Sequence, residues 1–180
     1  MNHSIDEVDG LISAKEQFIL SLHTSAIFRG GLGEMSMNVV AFSLGPYPIN
    51  TEGIDFVSAS WSAEKIATQN LAIALDSCLE AKLGKVRLKE GNDIIIFIRC
   101  LRNAFSHNPY KPKWELINSN YKRCFKIIKD WEVDLTNRHD TEVEEWDYRY
   151  ASGLLLLVNI ILDQLKSTQK GDVTVPASPA

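Results

Sequence analysis

The chain has 180 residues, three cysteines and a formal net charge of −4. This length suits one domain with its own core, and the ordinary balance of apolar and charged residues argues against a wholly disordered chain. The cysteines, Cys78, Cys100 and Cys124, are odd in number and widely spaced. We therefore expect reduced cysteines in the core of a cytoplasmic protein, with no disulfide framework.

The first predicted helix covers residues 5–28. Residues 4–7 have the form of a capping box, apolar residues follow at helical spacing, and the glycines at 30–31 are expected to end the helix. Acidic residues near the start interrupt any hydrophobic leader, and the longest apolar run, 154–162, is too short to span a bilayer. These observations predict a protein without membrane contact.

A loop and two further helices are predicted next. Glycines and prolines punctuate residues 32–58, which we expect to form a loop. Small and apolar residues at helical spacing then predict a helix over 60–83, ended by Gly84. A third helix is predicted over 92–107, with Asn92 as its N-cap and a proline just beyond its end.

The region after the third helix is ambiguous. Two prolines exclude a helix directly after it. Residues 121–128 are compatible with a short helix, whereas 131–135 alternate between apolar and polar as in a small strand. A last helix, apolar almost all round, is predicted over 144–166, and the tail 167–180 is expected to be disordered.

Four helical segments with weak strand patterns predict an all-α fold. We expect an antiparallel bundle of four to five helices in a single domain over 1–166, with at most a minor β element around 114–135. The four histidines show no metal-ligand spacing. The sequence therefore predicts no metal site and no other cofactor.

The end of the third predicted helix carries the residues with the clearest chemistry. Arg102, Asn103 and His107 lie within six residues of one another. On a helix, Arg102 and His107 point about 140° apart, with Asn103 between them. Histidine exchanges protons near neutral pH and arginine binds phosphate through two donors, so these three are candidate catalytic residues for phosphodiester cleavage. Alternatively, the arginine and the histidine only stabilise the negative end of the helix dipole.

Positive charge is concentrated around these residues. Residues 99–129 contain eight lysines and arginines and a single acid, Glu115, although the whole chain is acidic. Arg99, Lys111 and Lys113 are candidate phosphate-binding residues, because cations dominate contacts with a nucleic-acid backbone. The following segment, 130–147, is rich in carboxylates that would neutralise this charge within the fold or across a dimer.

The Arg-Asn-x-x-x-His pattern of residues 102–107 resembles the motif of the HEPN superfamily, many of whose members are metal-independent ribonucleases. The resemblance covers residues 92–116, and the Pro-Lys-Trp at 112–114 also looks like a group of bacterial HEPN-like proteins of unassigned function. The family often has a tyrosine two residues after the histidine, where this chain has Pro109. The resemblance implies a compact antiparallel helical bundle, and two copies that face each other to form one Arg/His cleft.

Three functions are compatible with these features. The first is a metal-independent endoribonuclease acting as a homodimer, in which His107 transfers protons, Arg102 stabilises charge on the phosphate, and Asn103 orients His107 or contacts the phosphate. The second is a non-catalytic helical module that binds RNA, a nucleotide or a protein partner. The third is a plain dimeric scaffold whose apolar third and last helices supply the interface. An open, basic cleft around His107 favours the first, and a buried imidazole bonded to a helix carbonyl favours the third.

Overall fold

The computed structural model describes residues 6–29, 55–89 and 92–171, without the side chains of 84–89 and 166–171. Four helices and one antiparallel hairpin make up this part of the chain. In chain order they are α1 (Glu7–Arg29), α2 (Phe56–Lys89), α3 (Asp93–His107), β1 (Cys124–Ile128), β2 (Trp131–Asp134) and α4 (Tyr150–Gly171). Short 3₁₀ helices lie at Ser119–Tyr121 and Glu145–Tyr148. The prediction of a mostly helical fold with a minor β element is confirmed.

Helices α1 and α3 lie where the sequence predicts them, and the predicted N-cap of α3 is present. The Asn92 side chain accepts a hydrogen bond from the backbone N–H of Ile95 at 3.1 Å. Helix α2 begins earlier than predicted, because Asp55 caps it by accepting a 3.1 Å hydrogen bond from the N–H of Val57. The prediction that Gly84 ends α2 is wrong, since the helix continues to Lys89. One glycine costs only about 1 kcal/mol relative to alanine inside a helix, and good helix formers follow it.

The last helix begins later and ends later than predicted. A 3₁₀ helix replaces the expected start at residue 144, and Arg149 and Tyr150, both at positive φ, separate it from the regular turns of α4. Helix α4 continues to Gly171, past the predicted end at residue 166. The rest of the predicted tail, and nearly all of the predicted loop over 32–58, lie outside the described residues.

The close packing at the start of α4 requires a glycine at position 153. A Cβ atom on Gly153 would overlap the carbonyl oxygen of Tyr148. We expect Gly153→Ala to lower the free energy of unfolding by about 1–3 kcal/mol, because the backbone must shift to relieve the overlap. Urea denaturation measures this change. Gly10→Ala in α1 is the matched control, since its Cβ would meet nothing within 4 Å, and an equal loss in both variants would contradict the explanation.

The segment between α3 and α4 forms a hairpin, so the helical alternative for residues 121–128 is wrong. Phe125 and Ile127 point inward from β1, and Phe125 pairs with Val133 of β2. Trp131 and Val133 are buried in the same alternation on β2. In a strand, alternate residues face the same side, so this pattern buries its apolar residues on one face. A helix would spread the same residues around its axis. Cys124 therefore lies on the outer face and is exposed, against the expectation that all three cysteines belong to the core.

Helix α3 lies at the centre of the molecule. Its buried face includes Phe97, whose ring packs 6.1 Å from that of Trp114, 6.1 Å from that of Phe125 and 5.9 Å from that of Trp131. Its other side packs against α2, and α4 closes the core against α1 and α2. The apolar residues of α3 are therefore buried within one chain. This helix does not leave the apolar surface that was expected to form part of a dimer interface. None of the helices in the described residues is both long and apolar enough to cross a membrane.

Candidate functional site

The candidate site lies where α3 ends and the chain turns away from it. Asn108 ends the helix in an extended conformation, with φ −151°. Its side-chain oxygen accepts hydrogen bonds from the backbone N–H groups of Tyr110 at 2.9 Å and Lys111 at 3.1 Å. These hydrogen bonds from the backbone to the Asn108 side chain form a turn in place of a further helical turn, and α3 ends there.

His107 projects into solvent beside a carboxylate. Its Nε2 lies 3.1 Å from Oε1 of Glu115, and its side chain is 70% exposed. The carboxylate accepts from Nε2–H, which favours the tautomer with a free lone pair on Nδ1. An exposed imidazole held by a carboxylate is suited to general acid–base chemistry. The surroundings of His107 therefore differ from the buried, carbonyl-bonded imidazole that the scaffold alternative requires.

The segment that carries Glu115 is anchored on both sides of that residue. The backbone N–H of Trp114 donates to the carbonyl of Thr141 at 2.9 Å, and the N–H of Leu116 donates to Nδ1 of His139 at 3.0 Å. Both Trp114 and Leu116 are fully buried. The position of Glu115 opposite His107 thus follows from the packing of its two neighbours.

Arg102 and Asn103 bind each other, and neither contacts His107. Nη1 of Arg102 donates to Oδ1 of Asn103 at 3.1 Å, and its Nε lies 3.7 Å from Oδ2 of Asp76 on α2. The Arg102 side chain remains 42% exposed, so part of the guanidinium is open to a ligand. Asn103 therefore lies beside Arg102, and in the described residues no hydrogen bond joins its side chain to His107.

Arg99 is bound within the fold. Its Nη1 lies 3.0 Å from a carboxylate oxygen of Asp76 and 3.1 Å from one of Glu80. Burial acts to lower the pKa of Arg99, but the two carboxylates outweigh it and raise that pKa. To bind a phosphate, Arg99 would have to break its ion pairs with Asp76 and Glu80. In the structure, Arg99 instead links α3 to α2.

Asp76 is a site residue that the sequence reasoning missed. Its side chain is only 4% exposed, and it faces the two arginines of α3. Burial raises the pKa of Asp76, and the positive charges of Arg99 and Arg102 act against that rise. An aspartate between Leu75 and Leu79, on the apolar face of a predicted helix, is the pattern by which it could have been found. Glu115 could have been found as the single acid of a basic segment.

Lys111 and Lys113 lie in the turn between α3 and Glu115. Both side chains are exposed, and within the described part of the chain no carboxylate forms a salt bridge with either. The backbone of Lys113 pairs with that of Glu142, which fixes the turn against the segment before α4. These two lysines and Arg102 are the cations of the predicted site that remain available to an anionic ligand.

Much of the positive charge predicted for residues 99–129 is neutralised inside the fold. Arg123 pairs with Asp93 at 2.8 Å, and Lys126 pairs with Glu132 at 3.7 Å. Asp93 and the carboxylates of α2 pair with all three arginines of residues 99–129. Among the described residues, the acidic segment 130–147 pairs with this basic segment through Glu132. Within that segment, Asp147 pairs with Arg138 at 2.9 Å.

No protein-family model, no curated protein and no solved structure matches this chain significantly. No group of three or more potential metal ligands is found among the described residues. The resemblance to the HEPN superfamily therefore rests on the sequence of residues 92–116.

Proposed function

We propose that this protein is a metal-independent endoribonuclease of HEPN type that acts as a homodimer. The observation that carries the proposal is the exposed His107, held by Glu115 at 3.1 Å at the end of the helix that presents Arg102. Lys111 and Lys113 lie in the adjoining turn and would attract the RNA backbone. No cofactor is needed for the reaction that these groups support.

The reaction is an attack of the RNA 2′-hydroxyl on the adjacent phosphorus. Nδ1 of His107 takes the proton from the 2′-hydroxyl, and the new bond between the 2′-oxygen and phosphorus forms as the bond to the 5′-oxygen breaks. The leaving 5′-oxygen takes a proton from a water molecule, and the His107 imidazolium then gives its proton to the hydroxide that remains. The products are a 2′,3′-cyclic phosphate and a free 5′-hydroxyl. Arg102 donates to the phosphoryl oxygens, where negative charge increases in the transition state.

The divergence of the two side chains supports a dimeric site. Arg102 is directed toward Asp76 on α2, whereas His107 is directed toward Glu115 beyond the turn. One substrate phosphate needs both a cation and a proton-transfer group within hydrogen-bonding distance. In a two-fold dimer, each subunit supplies the group that the other directs elsewhere.

An assay with pure protein and RNA tests the proposal. We expect cleavage that persists in EDTA, leaves DNA of the same sequence intact and produces 2′,3′-cyclic phosphate ends, because the 2′-hydroxyl is the nucleophile. Mass spectrometry of the fragments identifies the ends. Cleavage that stops in EDTA, fragments with a 5′-phosphate, or no cleavage of structured and unstructured RNA would each overturn it.

A non-catalytic module that binds RNA or a nucleotide is the second candidate function. The direction of Arg102 toward Asp76 and of His107 toward Glu115 favours it, because one chain by itself does not place both groups on one phosphate. Fluorescence anisotropy with labelled RNA distinguishes the two candidates: saturable binding that needs Lys111 and Lys113, in the absence of any cleavage, would support the second.

A further inference from the structure

A cavity of about 270 Å³ lies on the other side of the turn that follows α3. It is lined by residues of the first half of α2, the end of α3, the turn and the segment leading into α4. Its walls are unusually aromatic, with six rings, from Trp61, Phe105, Tyr110, Trp146, Tyr148 and Tyr150. Four of these rings are also exposed large apolar groups, namely Trp61, Tyr110, Trp146 and Tyr150. Exposed aromatic side chains that gather around one cavity indicate a binding site.

The charged groups of the cavity are predominantly acidic. Four glutamates line it, Glu64, Glu142, Glu144 and Glu145, against one cation, Lys65. The ammonium of Lys65 is directed to the backbone carbonyl of Tyr110 at 3.1 Å, and Glu64 is paired with Arg29 at 2.7 Å. The remaining carboxylates leave the cavity with a negative charge, which disfavours an anionic ligand.

The pKa of the Tyr148 hydroxyl is consistent with this negative charge. Burial raises the pKa of Tyr148, and the nearby carboxylates of Glu145 and Glu64 raise it further. Tyr148 is therefore a neutral hydrogen-bond donor at physiological pH. The ring of Phe105 packs against it at 5.9 Å and holds it in the wall of the cavity.

At the edge of the cavity, an aromatic ring and a carboxylate already hold a positively charged side chain of the protein. The guanidinium of Arg29 lies 4.1 Å from the centre of the Trp61 ring while it pairs with Glu64. An aromatic face and a carboxylate thus hold a cation together at this site. The same two kinds of group line the rest of the cavity.

We propose that this cavity binds a small organic ammonium ion, with its charge against the aromatic rings and balanced by the carboxylates of Glu142 and Glu145. Aromatic faces attract such cations, and their attached carbon atoms bury apolar surface on the rings. The volume suits a compact amine and is small for a larger ligand. The site is distinct from the His107 site, and the inference does not depend on ribonuclease activity.

Calorimetric titration of the full chain with choline and with spermidine tests the proposal. Saturable binding of one of these amines is expected, together with weaker binding at higher ionic strength because the carboxylates are partly exposed. The neutral isostere of choline, 3,3-dimethylbutan-1-ol, should bind much more weakly. Equal binding of the neutral alcohol, or no saturation by either amine up to about 10 mM, would overturn the proposal.

Variants locate the binding to the cavity and separate charge from apolar contact. Trp146→Leu keeps an apolar side chain but removes the aromatic face, and we expect it to weaken binding by about 3- to 30-fold. Glu145→Gln should weaken binding to a similar extent, whereas Glu132→Gln on β2, far from the cavity, should leave it unchanged. Trp146 is 62% exposed, so its replacement should not unfold the chain. Unchanged affinity in both cavity variants, or binding of a lysine-containing peptide but not of free amines, would overturn the assignment.

Discussion

Replacement of His107 by alanine is expected to lower the rate of RNA cleavage by about 10²–10⁴-fold, because it removes the group that transfers protons in the proposed reaction. Arg102→Ala should cost about 10²–10³-fold by removing charge stabilisation at the phosphate. The His107 side chain is 70% exposed, so its loss should leave thermal stability nearly unchanged. Rates are measured on one labelled RNA under single-turnover conditions.

Two controls make this result specific. His23→Ala removes an exposed histidine from α1 and should leave the cleavage rate unchanged. In a composite site, mixing the two inactive variants should restore activity, since a dimer of one Arg102→Ala chain and one His107→Ala chain retains one site with both residues intact. Wild-type activity in His107→Ala would contradict the proton-transfer role of His107. Failure of the mixture to recover activity while the mixed dimer forms would contradict the composite cleft.

Replacement of Asp147 by alanine is expected to lower the free energy of unfolding by about 3 kcal/mol, because it removes a buried, charged acceptor of several hydrogen bonds. Its carboxylate accepts from the indole N–H of Trp114 at 3.2 Å and from Nη2 of Arg138 at 2.9 Å. It also accepts from the backbone N–H of Glu144 at 3.0 Å. Asp147 is buried, so removal of its carboxylate leaves all three donors without it. Urea denaturation followed by tryptophan fluorescence measures the loss.

The matched variants separate charge from hydrogen bonding. Asp147→Asn keeps an acceptor for Trp114 but removes the charge that Arg138 needs, so its loss should be smaller than that of Asp147→Ala. Asp163→Ala replaces an exposed aspartate of α4 and should change stability little. Because Asp147 holds the segment that carries Trp114 and Glu115, Asp147→Ala should also reduce RNA cleavage. Equal stability of the Asp147 and Asp163 variants would show that the buried network contributes nothing.

The helical part of the fold could be predicted because it depends on local patterns. The apolar face of α3 was predicted from its spacing, and Phe97, Ile98, Leu101 and Phe105 are all buried. Asn92 could be identified as a cap because a cap needs only the residues within one turn. The hairpin was harder to predict, since a short apolar run becomes a strand only when a partner strand lies beside it. The sequence predicted a strand at 131–135 but did not predict that it pairs with residues 124–128.

Within the candidate site, the sequence alone determined which chemical groups are close along the chain: Arg102, Asn103 and His107 at one helix end, with Lys111 and Lys113 in the turn that follows. Only the tertiary structure decided which of these groups remain available. Asp76 lies 26 residues before Arg102 in the chain, yet the packing of α2 on α3 brings its buried carboxylate to Arg99 and Arg102. The aromatic cavity also depends on tertiary packing, because its walls come from three separate stretches of the chain. Ion pairs and cavities depend on distances between elements, and local residue patterns carry no information about those distances until the elements pack.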